Sequence, residues 1–374
     1  MNLRENVKAI LHYEDYDQMP IICFGYWHET LDKWADEGHV TREEAEEYRI
    51  TGDNGEADKS VMKKLGFDFD WNAVYRPRTF IFPPFEREIL EKTSEGALII
   101  RDEAGMLIKE IPGVVSIPMQ LGTSLTGRDA WEQLYLPRLQ YCEERLDISL
   151  LDQMAGEEER DVPRGLFLGS LMGEMRNILG VEEMSYLYLD DEELYREIVD
   201  TIGGLCYSTA KAVLERCRNF DFAHYWEDIC FKNGPLVVPD NFSEYAGKWY
   251  RRLSDLVNSY GIDIISVDCD GKIDALLPIW LENGVNTMFP IEVGTWDASI
   301  RPWREQYGTQ IRGVGGMNKN VFARDKASVD AEIERLRGLI ALGGYIPCPD
   351  HRIAPDAKFE LVQYYCERMR GGGR

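Results

Sequence analysis

The sequence after residue 160 alternates between short apolar runs and longer amphipathic segments. The runs are typical of strands buried on both faces and the segments of helices, which predicts successive β-then-α units. Right-handed crossovers between such units make their strands parallel. With two earlier strands, the predicted set lies at 19–24, 66–71, 165–169, 220–225, 264–267, 285–289, 310–314 and 345–348. About eight strands over ~250 or more residues favour a (β/α)8 barrel over an open sheet.

Two other patterns complete the predicted fold. Three short strand-like runs separated by glycine-containing turns predict a small antiparallel β-meander inserted near 85–111. Helical spacing predicts a largely helical segment over 128–154 and a long helix over 190–218. No strand is followed by GxGxxG, so a dinucleotide-binding sheet has no support. We expect one domain over 1–374.

The strand at 264–267 ends at two acidic residues, Asp268 and Asp270, followed by Gly271. Residues two apart in an extended segment point to the same face, so both carboxylates share one space if the strand continues through Asp270. Parallel α/β folds place their ligands at this end of the strands. The alternative is that one aspartate caps the next helix and the other is solvated.

Polar and aromatic residues follow the other predicted strands as well. The barrel would bring them into an anionic ring, formed by Tyr26, Trp27, His28, Asp68, Asp70, Glu227, Asp228, Asp268, Asp270, Glu292, Asn318, Lys319, Asp350 and His351. Crowded carboxylates need protons or a divalent cation to relieve their repulsion. Asp268, Asp270, Glu227 and His351 offer ligands for Zn²⁺, Mn²⁺ or Fe²⁺. The alternative is that they pair with Lys319, Arg352 or Arg312.

His351 and three tryptophans are further candidates for the site. His351 lies between prolines directly after a predicted strand, in a rigid loop beside the acidic ring. Trp27, Trp71 and Trp226 each flank a polar residue at a strand end, so they would wall an aromatic cleft, although core packing is the alternative for each.

The composition restricts partners and compartment. With 66 acidic against 42 basic side chains and a net charge of −24, the surface repels nucleic acid and anionic lipid. No secretory signal or membrane-spanning run is visible, and the eight cysteines are scattered without a CxxC pair. We therefore expect reduced thiols and a cytoplasmic protein.

Four motifs resemble the superfamily that joins uroporphyrinogen decarboxylase with corrinoid-dependent methyltransferases. They are Trp-Glu-Asp-Ile-Cys-Phe-Lys-Asn-Gly-Pro-Leu-Val-Val-Pro at 226–239, Val-Asp-Cys-Asp-Gly at 267–271, Gly-Gly-Met-Asn-Lys at 315–319 and Gly-Tyr-Ile-Pro-Cys-Pro-Asp-His at 344–351. The similarity runs from about residue 163 to the end and is looser over the first 160 residues. It implies a distorted (β/α)8 barrel with its cavity at the carboxyl ends of the strands.

The resemblance also implies roles for particular residues. The decarboxylase has a Gly-His-Gly-x-x-Pro loop that resembles 350–355, and its catalytic aspartate corresponds to Asp70. Its arginine-rich segment after the first strand is absent, because 24–31 reads Phe-Gly-Tyr-Trp-His-Glu-Thr-Leu, so uroporphyrinogen decarboxylation is not expected. The thiol-methylating branch binds zinc through His-x-Cys and a later Cys. Asp268, Asp270 and His351 stand there instead, as harder ligands that suit an oxygen-bearing substrate better than a thiol.

These observations predict an enzyme that moves a methyl group between a small substrate and a corrinoid or its carrier protein. Asp268, Asp270 and His351 would hold zinc, another divalent metal or the substrate. Catalytic roles are expected for Asp70, Glu227, His351 and Lys319, and substrate contacts for Tyr26, Trp27, Trp226, Glu292 and Asn318. The alternatives are a carboxy-lyase acting on another carboxylated ring and a non-catalytic barrel that binds a small ligand. The oligomeric state stays open, with a homodimer as one expectation.

Overall fold

The computed structural model describes residues 1–111, 119–157 and 159–371. Its strands, numbered along the chain, are β1 Ile22–Cys23, β2 Phe69–Asp70, β3 Glu88–Lys92, β4 Leu98–Arg101, β5 Met106–Glu110, β6 Met119–Thr123, β7 Gly165–Gly169, β8 Phe222–Trp226, β9 Cys230–Phe231, β10 Gly234–Pro235, β11 Ile264–Asp268, β12 Thr287–Phe289, β13 Arg312–Met317 and β14 Tyr345–Pro349. The α-helices are α1 Leu3–Leu11, α2 His28–Asp36, α3 Arg42–Thr51, α4 Glu56–Leu65, α5 Arg128–Ala130, α6 Ile148–Gly156, α7 Met172–Asp190, α8 Glu192–Arg216, α9 Pro239–Asn241, α10 Gly247–Ser259, α11 Leu277–Glu282, α12 Val293–Trp296, α13 Ile300–Tyr307, α14 Lys326–Ile340 and α15 Phe359–Gly371.

Eight parallel strands form the centre of this mixed α/β fold. Six of them make one sheet in the order β14-β13-β12-β11-β8-β7, and β1 pairs with β2. Single parallel bridges join the β1–β2 pair to both edges of the six-stranded sheet. Tyr26 bridges to Ile353 beyond β14, and Tyr75 bridges to Leu166 in β7. The predicted parallel arrangement of the strands is therefore confirmed.

All eight parallel strands contribute to one apolar cluster on the inner face of the sheet. Its strand residues are Ile22, Phe69, Phe167, Phe222, Ile264, Phe289, Val314, Ile346 and Cys348, joined by Phe24, Trp71 and Val74 just after β1 and β2. Helix α1 adds Val7, Ile10 and Leu11 to the same cluster. A second and larger cluster fills the layer between the strands and the outer helices. The two clusters follow from the period of two along each strand, which sends alternate side chains to opposite faces.

The antiparallel sheet predicted near 85–111 is present, with β3, β4, β5 and β6 in sequential order. Its fourth strand, Met119–Thr123, was not predicted because it lies beyond the apolar runs. The buried side chains of Ile100 and Met106 anchor the sheet, and the Thr123 hydroxyl donates to the carbonyl of Ile178 in α7. The sheet is therefore an addition packed against the helical layer rather than part of the parallel arrangement.

The helix predicted over 128–154 is not continuous. Helix α5 passes into irregular helical turns as far as Leu139, and α6 starts only at Ile148. The break is stabilised by Arg145, whose buried guanidinium donates to four backbone carbonyls, those of Arg78, Phe80, Arg138 and Gln140. These long-range contacts cannot be deduced from local spacing.

Helix α7 was not predicted at all. It bends at Gly180, whose φ of 80° and ψ of 168° are not helical, so no continuous apolar stripe runs along it. Across the part of the chain that the structure describes, no helix combines the length and apolar character needed to cross a membrane.

Candidate active site

The alternation along β11 directs Asp268 to the inside of the fold. Ile264 belongs to the inner cluster, whereas Ile265 and Val267 pack in the outer layer. Ser266 and Asp268 therefore continue the inner face, and Asp268 takes its last position, where only 6% of its surface is exposed. The sheet thus delivers a carboxyl group to the carboxyl end of the strands, as the sequence predicted.

A cavity of about 540 Å³ opens at this end of the strands. Its walls are formed by Phe24, Trp27, Asp53, Asn72, Arg76, Phe167, Glu174, Trp226, Asp268, Asp270, His351 and Arg352. Five of the eleven predicted site residues are among them, namely Asp268, Asp270, His351, Trp27 and Trp226. This volume is in the range of sites that take small molecules.

Asp268 and Asp270 both reach the cavity, although β11 ends at Asp268. Gly271 follows with a φ of 84°, and a Cβ there would lie 2.5 Å from the carbonyl oxygen of Cys230. Burial is the main cause that raises the pKa of Asp268 well above its usual range, and the charges of Asp270 and Asp228 add to it. The acidic pair is therefore held close together by the tight turn at Gly271.

Asp270 and His351 contact each other directly. The distance between Asp270 Oδ2 and His351 Nε2 is 3.2 Å. The imidazole is stacked on the indole of Trp27, with ring centroids 5.5 Å apart and an interplanar angle of 18°. Asp270 Oδ1 and His351 Nδ1 are buried and have no partner among the described residues. Both atoms are therefore unsatisfied, and a ligand would reach them only after a shift of these side chains.

The predicted metal site is not assembled as a coordination sphere. Within 1–111, 119–157 and 159–371, no three His, Cys, Asp or Glu side chains gather closely enough to hold a metal ion. Asp270 and His351 alone supply two donor atoms, and a catalytic zinc needs three from the protein. The zinc site therefore stays a prediction.

Two arginines that the sequence did not place in the site line the cavity, and one of them is fully paired. Arg352 Nη1 and Nη2 donate to Asp53 Oδ1 and Oδ2 at 2.7 and 2.6 Å, and Nη1 also donates to the hydroxyl of Tyr48 at 3.0 Å. The guanidinium of Arg352 lowers the pKa of Asp53 despite its burial, which acts in the other direction. This bidentate pair neutralises both charges and fixes one wall.

Arg76 is the second arginine. Its guanidinium lies over the ring of Phe167, 4.4 Å from the centroid, and donates to the backbone and side-chain oxygens of Asn72. Within the described ranges Arg76 forms no direct ion pair with a carboxylate, and it lines the cavity. Burial lowers the pKa of Arg76, and the nearby charges of Asp53, Asp268 and Asp70 act in the other direction.

Glu174, in the first turn of α7, is another cavity residue that the sequence did not reveal. It is 8% exposed, and Asn177 Nδ2 donates to its Oε2 at 3.0 Å. Burial raises the pKa of Glu174 to about 7, and the nearby charge of Glu227 adds to the effect. A carboxyl group of this kind exchanges a proton near neutral pH.

Glu227 has a structural position in this geometry. Its carboxylate accepts hydrogen bonds from the backbone N–H groups of Leu171, Met172 and Gly173, at 2.8, 2.9 and 2.9 Å. The hydroxyl of Tyr250 also donates to it. The carboxylate therefore satisfies the donors at the start of α7, and it is absent from the cavity wall.

The other predicted residues surround the cavity without lining it. Tyr26 is buried against Trp34 and Tyr48, and Asp70 is buried, with no hydrogen-bond partner for its Oδ2 in the described part of the chain. Lys319 Nζ donates to the carbonyl of Arg352 at 2.9 Å. Glu292 accepts from Gly271 N and Thr295 Oγ1, and Asn318 Oδ1 accepts from Asn320 N. Their contacts fix the loops after the strands, and their catalytic and substrate-binding roles stay predictions.

The search for polar residues that follow predicted strands would have found Glu174 if it had included the strand at 165–169, since Glu174 lies five residues beyond the end of β7. Arg76 carried a weaker signal, because it lies six residues beyond β2 in a segment without regular structure.

Comparison with known proteins identifies the fold. The chain matches no protein-family model and no curated protein sequence. Among solved structures it is similar to a methyltransferase from Methanosarcina mazei, with 15% identity, 99% of this chain and 98% of that chain covered, and a TM-score of 0.61. A B12-independent methionine synthase from Shewanella sp. W3-18-1, in complex with selenomethionine, is 10% identical over 94% of this chain and 98% of that one, with a TM-score of 0.50.

Proposed function

We propose that this chain is a methyltransferase that moves a methyl group between a small substrate and a corrinoid or its carrier protein. The two similar structures carry names of methyl-transferring enzymes, and each is matched along nearly its whole length. The sequence motifs at the strand ends resemble the superfamily that contains corrinoid-dependent methyltransferases. Together these likenesses support the reaction class.

We infer further that the eight parallel strands close into a distorted (β/α)8 barrel. The bridges at Tyr26–Ile353 and Tyr75–Leu166 link the β1–β2 pair to the two edges of the larger sheet. The inner apolar cluster receives side chains from every parallel strand, as the filled interior of such a barrel requires. The cavity then lies where enzymes of this architecture bind their substrates.

The observation that carries the proposal is the chemistry of this cavity. It combines aromatic walls, an acidic pair, a guanidinium without a direct ion pair among the described residues, and a carboxyl group whose pKa is about 7. Its volume of about 540 Å³ suits a small methylated molecule. A corrinoid, when bound, would supply the acceptor or the donor of the methyl group.

The residues of this chain would manage the proton that accompanies methyl transfer. When a methyl group leaves a substrate heteroatom without the bonding electrons, the heteroatom keeps that electron pair and takes up a proton. Glu174, with its pKa of about 7, can supply this proton and recover it in the reverse direction. Trp27, Trp226 and Phe167 would exclude water from the reacting methyl group.

The test is a methyl-transfer assay with reduced cobalamin as acceptor. The donors are three molecules without a carboxyl group (methanol, dimethylamine, dimethyl sulfide) and three acids (methoxyacetate, N,N-dimethylglycine, (methylthio)acetate). We expect methylcobalamin to form from at least one donor, followed by its absorbance. Glu174→Gln should lower the rate by about 10²–10⁴-fold, because glutamine cannot exchange the proton. Glu182→Gln, an exposed change on the same helix, should leave the rate unchanged. No methylcobalamin from any donor would contradict the proposal.

A carboxy-lyase is the second candidate, favoured by the guanidinium of Arg76, which lines the cavity and would bind a carboxylated substrate. It predicts release of carbon dioxide from a carboxylated ring when cobalamin is omitted. Uroporphyrinogen, with eight carboxylates, should not be turned over, because among the described lining residues only Arg76 is a cation without a direct ion pair, and Asp268 and Asp270 lie in the same cavity.

A further inference from the structure

Arg76 is held in a fixed orientation at the cavity but forms no direct ion pair with any described residue. Its guanidinium is oriented by the ring of Phe167 and by two oxygens of Asn72, all of them uncharged groups. The side chain of Arg76 is exposed to the solvent in the cavity. A guanidinium offers two parallel N–H donors that match the two oxygens of a carboxylate. The site is therefore ready to bind one anionic group.

Of the two arginines that line the cavity, Arg352 forms an ion pair and Arg76 does not form one with any described residue. Arg352 lines the same cavity, but both of its terminal nitrogens donate to Asp53. Asp53 in turn accepts from Asn72 Nδ2 at 3.0 Å, so Asn72 holds the two arginine sites together. An incoming anion would have to break the Asp53 pair to reach Arg352, whereas Arg76 is available without rearrangement.

Acidic side chains in the same cavity limit how many acidic groups a ligand can carry. Asp268 and Asp270 face the cavity, and Asp270 Oδ1 has no partner among the described residues. A second carboxylate on the ligand would lie near these acids and be repelled. A hydrogen-bond donor or a cationic centre would instead be stabilised there. The cavity thus combines one guanidinium that has no direct ion pair among the described residues with an acidic pair.

We propose that the substrate is a small monocarboxylic acid that carries its methyl group on a heteroatom at the other end of the molecule. Arg76 binds the carboxylate, Asn72 orients Arg76, and Asp268 and Asp270 face the methylated heteroatom. This inference rests on the proposed methyl transfer for the identity of the methyl-bearing end. The role of Arg76 as the carboxylate anchor rests on the geometry alone.

The test measures binding without cobalamin, so that it is independent of turnover. The probes are methoxyacetate, N,N-dimethylglycine and (methylthio)acetate, each compared with its primary amide. Trp27 and Trp226 line the cavity, so their fluorescence reports occupancy. We expect at least one acid to bind about 10-fold to 100-fold more tightly than its amide, as for a charge-assisted hydrogen bond.

Variants assign this preference to the arginine. Arg76→Gln should remove the preference for the acid and leave the affinity for the amide unchanged. Arg76→Lys should retain part of the preference, because it keeps the charge but loses the bidentate geometry. Arg78→Gln is the matched control, since Arg78 lies over Phe82 outside the cavity wall, and it should bind like wild type.

The outcomes separate this inference from the proposed function. It is overturned if no acid binds more tightly than its amide, or if the preference persists in Arg76→Gln. Methyl transfer from the donors without a carboxyl group but not from the acids would leave the proposed function standing and contradict the proposed substrate class. An Arg76-dependent preference without any methyl transfer would support the carboxylate anchor and contradict the methyltransferase.

Discussion

Glu174 and Glu227 show how the surroundings of one side-chain type decide its role. Both are buried near the start of α7. Glu227 accepts hydrogen bonds from three backbone N–H groups and a tyrosine hydroxyl, so its oxygens are saturated. Glu174 has one side-chain donor, Asn177, and borders the cavity. The sequence predicted a catalytic role for Glu227, but the proposed proton exchange belongs to Glu174.

The raised pKa of Glu174 has a consequence for stability. The ordinary value of 4.5 rises to about 7 in the folded protein, so the folded state holds this proton more tightly than the unfolded state. The corresponding stability is complete below about pH 4.5 and is lost as the pH rises through about 7. We predict that Glu174→Gln is more stable than wild type by about 1–3 kcal/mol near pH 8, and that the difference falls below about 1 kcal/mol near pH 5.

Urea denaturation at the two pH values measures this difference, with Glu182→Gln as the exposed control. Equal stability of wild type and Glu174→Gln near pH 8 would show that burial does not hold the proton on Glu174.

The sequence could place Asp268, Asp270 and His351 in the site because each lies at or just after a strand of unmistakable apolar pattern. Arg76 could not be placed, because nothing in the local pattern of 71–87 shows where the chain runs. Its position depends on Asn72 and on Phe167, which is almost a hundred residues away in the sequence.

At the scale of elements, α7 is the helix on which the cavity most depends, since its first turn carries Glu174. Its N-terminus is fixed by Glu227, and its direction changes at Gly180. The backbone there has a φ of 80° and a ψ of 168°, which side chains other than glycine rarely allow. The spacing of apolar residues predicts only straight helices, so a helix that bends as α7 does is not recognised from its sequence.

Gly180→Ala should therefore destabilise the protein by about 1–3 kcal/mol, because this φ is unfavourable for alanine and strains its backbone. Space is not the obstacle, since the nearest atom to an added Cβ, Gln120 Oε1, is 3.3 Å away. Gly204 is the matched control. It lies inside α8, where an added Cβ meets only Trp249 at 3.7 Å, so Gly204→Ala should be neutral or stabilising.

Thermal unfolding followed by circular dichroism compares the two variants. A Gly180→Ala protein that melts at the temperature of Gly204→Ala would mean that the bend in α7 carries no strain.

At the scale of the whole molecule, the parallel strands were predictable and the added sheet was only partly so. Most of the parallel strands are buried on both faces and appear in the sequence as continuous apolar runs, whereas the strand predicted at 66–71 alternates between apolar and acidic residues. The strands of the antiparallel sheet are exposed along much of their length, and β6 is mostly exposed. Such strands depend on pairing with their neighbours, which a single segment does not reveal.

The balance of acidic groups predicts how the stability of the whole protein depends on pH. Burial raises the pKa of several carboxyl groups around the strand ends, namely those of Asp70, Asp228, Asp268, Glu292 and Asp350. It also raises the pKa of Asp58 to about 6 and the pKa of Glu174 to about 7. Each of these groups binds its proton more tightly in the folded state. Their contribution to stability is therefore lost as the pH rises from about 4 towards 7.

A smaller set of carboxylates acts in the opposite direction. Arginine and lysine partners lower the pKa of Asp53, Asp221 and Glu44, so their contribution is present above about pH 4 and lost at lower pH. The two sets together predict a maximum of stability near pH 5, below the usual neutral range. The net charge of −24 at pH 7 adds self-repulsion at higher pH.

We therefore predict that the melting temperature rises as the pH falls from about 8 to about 5, and falls again below about 4. Added sodium chloride should raise the melting temperature near pH 8, because it screens the repulsion among surface carboxylates. The salt effect should shrink near pH 5, where protonation has already removed part of the negative charge. The measurement is a grid of melting curves over pH and salt. A maximum at neutral pH would contradict the prediction, since it would require the strand-end carboxyl groups to be as acidic in the folded chain as in the unfolded one.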